Sequence, residues 1–414
     1  VPRPGASVPA ANRTRLAWGP VGWELTSGDP AEHRWFTEHL SVTEDHLPYA
    51  EPLRTFRIEV RTGTAAEWWT GRAGRTGQTA DGPVVRIRDV LHHRTTIEGY
   101  PAWVPADGAY AYVHRGGNDW LVLRDDRGPN RFRPAETLAA ELLNVTLTEL
   151  GGTTIHASAA TAPHATLFAG ASGTGKTTLA LALAARGGAF IAGDRSILLP
   201  GDNHWHIAGA AVAARFAPGT LHATGHAERV YTARLLRHAE KPLREDGRLP
   251  GHGAGSLCDG DGLLGHGERL LRDGARPLRD GGGLLSHGDE LPREGDTPSA
   301  PSPPSKALLT QTELHRLLHT PTSAGAPLTR IALLEPTTTK SPTATRIPPN
   351  ETPPLLHPHL LPPPTPWWHP SPPPPPLLPP CPPAPTFRLR WNPTTHSAET
   401  ALRVLDEAEA SERG

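Results

Sequence analysis

The chain has 414 residues and a formal net charge of −1, with 48 prolines, 42 glycines, two cysteines and no methionine. Balanced charge without a basic block argues against a nucleic-acid surface, and two cysteines exclude a disulfide framework and suit a reducing compartment. No apolar run reaches the roughly eighteen residues of a membrane span, and residues 1–15 lack a signal-peptide core, so a cytoplasmic protein with no membrane partner is expected.

Residues 1–54 mix proline, glycine and polar residues with Trp18, Trp23 and Trp35 and allow no firm assignment. From there alternation marks strands at Phe56–Val60, Val85–Val90 and Ala109–Val113, and Trp120–Leu123 is a compact apolar run. Gly116-Gly117-Asn118-Asp119 between the last two is a hairpin signal. The spacing predicts a small antiparallel, β-rich unit over 55–133. A helix follows over 134–150, opened by Pro134 and closed by Gly151-Gly152, with a mostly apolar stripe of Leu138, Leu142, Val145 and Glu149. Thr154–Ala160 and Ala165–Ala169 read as successive strands.

The second of these runs into Gly170-Ala171-Ser172-Gly173-Thr174-Gly175-Lys176-Thr177, a full match to the phosphate-binding pattern G-x-x-x-x-G-K-[ST]. Thr178–Ala185 then supplies strong helix formers. Lysine is rare here, occurring only at Lys176, Lys241, Lys306 and Lys340, which makes the match more specific. A strand, a glycine-rich turn and a helix N-terminus aim backbone N–H groups at one point, where the helix dipole favours a polyphosphate. Lys176 is positioned for the β- and γ-phosphates and the Thr177 hydroxyl for Mg²⁺, with Ser172, Thr174 and Thr178 as further nucleotide contacts. After Arg186-Gly187-Gly188 the chain returns as Ala189–Gly193 and reaches Asp194. A carboxylate at the end of a buried strand beside such a loop suits Mg²⁺ coordination.

Residues 243–305 are Gly-rich, with a loose repeat of 262–274 at 283–295, and read as a disordered insert in which His252, His266 and His287 are solvated. Residues 306–336 return to the core. Residues 337–385 are dominated by proline, including Pro372–Pro376, and are expected to be polyproline II or disordered, by default a linker. At the C-terminus, 386–414, a strand over Thr386–Trp391 and a capped helix from Ser397 are expected to pack back onto the nucleotide domain.

Ile155-His156, the loop Gly170–Thr177, Arg186-Gly187 and Ala192-Gly193-Asp194-Arg195 together resemble the catalytic domain of HPr kinase/phosphorylase. More closely they resemble the HPr-kinase-like ATP-binding proteins of bacterial peptide-natural-product clusters. Ala208–Leu221 and Pro327–Glu335 are similar to further segments of those relatives. The resemblance implies an α/β, P-loop-containing fold akin to phosphoenolpyruvate carboxykinase, over 134–242 and the returning segments. It implies ATP and Mg²⁺ as cofactors and transfer of phosphate to a hydroxyl, with serine of a peptide or protein as acceptor. By position, Lys176 and Thr177 hold phosphates and metal, Asp194 matches the second of two adjacent acids, and His156 a histidine lining the site. The first acid, the base of the family, is Gly193 here, and the family's segment for HPr itself is not recognisable. Family members are hexameric, which leaves room for an oligomer. A catalytically weak or inactive nucleotide-binding module and a small-molecule kinase are the alternative readings.

Overall fold

Apolar residues alternate with polar ones along the N-terminal third, and they line one eight-stranded sheet. In the computed structural model the described residues are 12–63, 84–88, 90–126, 131–162, 165–210, 214–239, 306–364, 367–368, 378 and 384–413. The Gly-rich insert of 243–305 with its histidines, both cysteines and Pro372–Pro376 lie outside them. The sheet comprises β1 (Asn12–Trp18), β2 (Val21–Ser27), β3 (Arg54–Thr62), β4 (Val84–Ile87), β5 (Val90–Ile97), β6 (Tyr100–Pro105), β7 (Tyr110–Gly116) and β8 (Asp119–Arg124). Their order is β1-β2-β3-β8-β7-β6-β5-β4.

Three expectations change here. The unassigned N-terminal residues supply two strands and a helix, α1 (Pro30–Leu40), which Asp29 caps through the Ala31 N–H at 2.8 Å. The sheet is mixed rather than antiparallel, because β3 runs parallel to both β2 and β8. α1 lies in the connection that this β2-to-β3 crossover requires. Val85–Val90 is not one strand: the chain turns at Arg88, whose φ is +53°, and splits the run between β4 and β5.

The helix after the sheet, α2 (Arg133–Glu149), has no solvent-facing side along most of its length. Every residue from Pro134 to Leu147 except Thr137 is buried, Glu136 and Glu141 included. Glu141 accepts from Arg88 Nε at 2.9 Å. The one-sided stripe gives way to a central helix that shares a core with both the first sheet and Ile197, Leu199 and Ala208 of the second. The β-rich unit and the loop-bearing region are thus packed together, and belong to one unit of Val1–Leu235 and Ala307–Gly414.

The second sheet contains β9 (Thr153–Ile155), β10 (Ala157–Thr161), β11 (Ala165–Gly170), β12 (Ala189–Ala192), β13 (Ser196–Leu199) and β14 (His206–Gly209). A separate pair, β15 (Ala214–Phe216) and β16 (Ala307–Leu309), runs antiparallel and brings together the two sides of the long insertion. β17 (Gly325–Pro336), β18 (Thr343–Ile347) and β19 (Thr386–Trp391) complete the sheet. The main order is β12-β10-β11-β17-β14-β13-β9, with β19 on the far half of β17 and β18 beyond it. β17 is its spine, parallel to β11 and β19 and antiparallel to β14. β9 and β10 are consecutive in the chain, joined at His156, yet stand far apart in this order, β9 at one end and β10 next to the other.

Helices α3 (Lys176–Ala184), α4 (Pro218–Ala223), α5 (Ala227–Ala239), α6 (Gln311–Leu318), α7 (Thr352–Leu356) and α8 (Ala398–Arg413) flank these strands. α6 starts with a reciprocal capping box between Thr310 and Glu313. α8 is tied to β17 by Arg330, buried at 4% exposure, which meets Asp406 at 2.7 Å and Glu409 at 3.0 Å. The fold is mixed α/β with two large sheets. No helix among the described residues is long and apolar enough to cross a membrane.

The Pro-rich segment differs most from expectation. Over 343–361 it forms β18, paired with β19, then helical turns through His359. Leu360 then bridges Ile155 on the open edge of β9. Proline is compatible with the first turn of a helix, where its missing N–H has no partner to lose.

Candidate nucleotide site

β11 is buried at every residue and held on both sides, by β10 and β17. It therefore delivers the glycine-rich loop from a rigid base. Gly175 is the N-cap of α3 at φ +84°, a region where a Cβ is strained, and a Cβ there would run into the Trp391 indole. Trp391, the last residue of β19, donates its indole N–H to the Thr174 carbonyl at 2.8 Å. Inside the loop the Thr174 hydroxyl donates to the Ala171 carbonyl at 2.8 Å. The loop is thus braced from within and from the C-terminal strand.

Lys176 is 6% exposed, and its ammonium donates to the carbonyls of Gly170 at 2.9 Å and Ala171 at 3.0 Å. A buried cation needs such partners, and these are neutral acceptors that a phosphate oxygen outcompetes. One residue on, the Thr177 hydroxyl donates to the Gly193 carbonyl at 2.9 Å and lies 3.2 Å from the Ser158 hydroxyl. Ser158, on β10 and fully buried, also donates to that carbonyl. The side chain of Thr178 faces α4 instead, at 3.0 Å from the Thr220 hydroxyl, so its hydroxyl is directed away from the loop's mouth.

β12 ends at Ala192, and Gly193 and the exposed Asp194 follow it. β12 is antiparallel to β10, which is antiparallel to β11, so the carboxyl ends of β11 and β12 lie at the same edge of the sheet. That places Asp194 next to the oxygen cluster of Thr177, Ser158 and the Gly193 carbonyl. Mg²⁺ in such sites takes one or two carboxylates, a hydroxyl and substrate phosphates, not a protein cage. The donor set of Thr177 and Asp194 fits that pattern. Among the described residues no group of three or more His, Cys, Asp or Glu side chains converges as a self-sufficient metal site. Glu335, at the end of β17, is engaged elsewhere, with Arg388 at 2.8 Å and Arg390 at 3.1 Å.

His156 joins β9 to β10, and its backbone N–H donates to the His359 carbonyl at 2.8 Å. The Leu361 N–H donates in turn to Thr154 at 2.9 Å. His359 therefore arrives beside the loop from the Pro-rich segment. Burial holds its imidazole below the ordinary histidine pKa, and the charges of Lys176 and then His156 push it further the same way. The structure thus brings Lys176, Thr177, Gly193, Asp194 and His156 to one end of the sheet. Sequence reasoning missed Ser158, Trp391 and His359. A hydroxyl in an otherwise Ala-rich strand was the available signal for Ser158, and nothing local marked His359.

No protein-family model matches the chain, and no curated protein matches it, so what the site can do rests on its own residues.

Proposed function

We propose that the chain is an ATP- and Mg²⁺-dependent phosphotransferase, resembling HPr kinase, that transfers phosphate to a hydroxyl of a peptide or protein. The observation that carries the reading is the arrangement of Lys176 and Thr177 at the start of α3, braced through Ser158 and Gly193 to the turn that carries Asp194 just after β12. The loop N–H groups and the α3 N-terminus would hold the phosphates. Lys176 would leave its loop carbonyls for the terminal phosphate and offset charge there. Thr177 and Asp194 would be the protein ligands of Mg²⁺, which would supply further charge neutralisation there. Attack by the acceptor hydroxyl forms a new O–P bond as the bond to the β-phosphate bridging oxygen breaks. The hydroxyl proton passes to Asp194 or to water, and ADP leaves.

A second reading is favoured by one observation: the position of the family's base is Gly193. Here the domain binds nucleotide with little or no turnover. A Cβ at Gly193 is tolerated, since its nearest neighbours, on Ala214 and Phe190, stand at 3.7 and 3.8 Å, ordinary van der Waals contact. The test is phosphate transfer from γ-labelled ATP to serine peptides by the wild type and by Gly193→Asp. Positioned base catalysis contributes about 10²- to 10⁴-fold. Wild-type transfer supports the kinase, and transfer only in Gly193→Asp supports the second reading. Absence of nucleotide binding in either protein sinks both.

A further inference from the structure

An attacking hydroxyl is helped by a proton acceptor beside the transferred phosphate, and the turn after β12 supplies a poor one. Gly193 has no side chain, and Asp194 as a metal ligand would have its charge committed to Mg²⁺. Ser158 and Thr177 give their hydroxyl protons to the Gly193 carbonyl, and Lys176 is a cation. The fold brings two imidazoles to the same edge, those of His156 and His359.

The path from the loop to His359 is short. Ala157 of β10 stands opposite Ala169 of β11, so His156, one residue earlier, is level with Gly170. The Gly170 carbonyl accepts from the Lys176 ammonium at 2.9 Å, and the His156 N–H donates to the His359 carbonyl at 2.8 Å. Two hydrogen bonds and one cross-strand step thus connect the Lys176 head group to the backbone of His359. The turn His357–His359 is anchored on both sides. Before it, Leu356 is fully buried in the core of the second sheet. After it, Leu360 bridges Ile155 and the Leu361 N–H donates to Thr154 at 2.9 Å. The His359 ring is half-buried and makes no hydrogen bond among the described residues. Burial, then the charges of Lys176 and His156, favour its neutral form, the one that accepts a proton.

We propose that His359 is the general base of the phosphate transfer, in place of the carboxylate that is absent at Gly193. The proposal rests on the transferase reading above and names the base of that same site. The imidazole takes the proton of the acceptor hydroxyl as that oxygen bonds to the γ-phosphorus. The bond from phosphorus to the β–γ bridging oxygen breaks, its electron pair leaves with ADP, and the imidazolium returns its proton to water. The acceptor then approaches on the β10 side of the glycine-rich loop, opposite the side that Trp391 of β19 braces.

The test is transfer of γ-labelled phosphate from ATP to a serine peptide by the full-length wild type, His359→Gln and His357→Gln. Each protein is also checked by its melt and by ATP titration. His359→Gln should lower kcat about 10²- to 10⁴-fold, the range of positioned base catalysis, and leave ATP affinity within about threefold. His357→Gln, at an exposed position of the same turn, should match the wild type. Wild-type kcat should fall on acidification as the imidazole protonates, and that limb should be missing from His359→Gln. Adding Gly193→Asp to His359→Gln should recover at least about tenfold in kcat. Unchanged kcat in His359→Gln, or a loss explained wholly by weaker ATP binding, overturns the proposal and leaves the transferase reading standing. A wild type that binds ATP without transferring phosphate sinks that reading, and the base with it. An NMR titration of the histidines needs no turnover: Lys176→Ala removes a nearby positive charge and should raise the His359 pKa. A His359 pKa that stays where it was shows that the ring does not face the loop, and overturns the proposal by itself.

Discussion

The two sheets of this chain end in opposite kinds of surface. Around the glycine-rich loop the strands and the turn after β12 carry Ala157, Ser158, Gly170 and Gly193, and the Thr177 hydroxyl meets the Ser158 hydroxyl and the Gly193 carbonyl. On the first sheet, β6, β7 and β8 present two indoles and a phenol, all at most 2% exposed. Small side chains let backbone N–H and C=O groups come close to a charged ligand, whereas large rings offer shape and apolar area. Side-chain size on comparable strands thus separates a place suited to an anion from one filled by aromatic packing. The Pro-rich segment touches both, with His359 at the first and Trp367 at the second.

The contrast breaks most severely from the aromatic side. Arg124, at the end of β8, is 1% exposed and pairs with Glu32 at 2.7 Å and Asp29 at 3.3 Å, pinning α1 to the sheet. Removing one partner of a buried pair strands the other, so Arg124→Ala should lower unfolding stability by about 3–5 kcal/mol in denaturant titrations. A loss below about 1 kcal/mol would show that α1 is held by packing alone.

At the loop, Trp391→Phe keeps a ring against Gly175 but removes the hydrogen bond to Thr174. A net hydrogen bond contributes about 0.5–1.5 kcal/mol, so nucleotide affinity should fall a few-fold while the melt moves little. A change in the melt without any change in affinity would place Trp391 in the core and not in the loop's support.

The smallest effect is one of pH. His359 has its folded pKa below the ordinary 6.5, so the folded state prefers the neutral ring. Its stabilising preference is intact above 6.5 and is lost as pH falls below that value, because the unfolded chain then binds more protons. Hydrogen exchange at 357–361 should accelerate on acidification, and His359→Gln should flatten that dependence. An equal acceleration in the variant would assign the effect to another group.

How much of this was legible from residues alone follows from their chemistry. The loop was readable because only glycine tolerates φ +84° at Gly175 against an indole, and because so few lysines compete with Lys176. β3, β7 and β8 showed in their alternation or apolar runs. β6 did not, since Pro101 and Pro105 argue against a strand; both lie outside the Ala102–Trp103 stretch that pairs with β7. β1 was hidden by the charges of an edge strand, with Arg13 and Arg15 paired to Glu24. The burial of α2 on all sides was masked by Glu136 and Glu141, whose charges only the fold brings to Arg88. His359 and Trp367 were hidden by proline, whose abundance reads as absence of structure until an open strand edge and a cluster of core aromatic rings are there to receive it.

The central claim is that the loop holds a nucleotide through Lys176. Calorimetric titration of ATP, with and without Mg²⁺, into the wild type and Lys176→Ala tests it most directly. A charge-assisted contact contributes about 1.5–3 kcal/mol, so Mg²⁺-dependent binding should weaken at least about tenfold in the variant. Equal binding by the two proteins, or none by a well-folded wild type, would contradict the account.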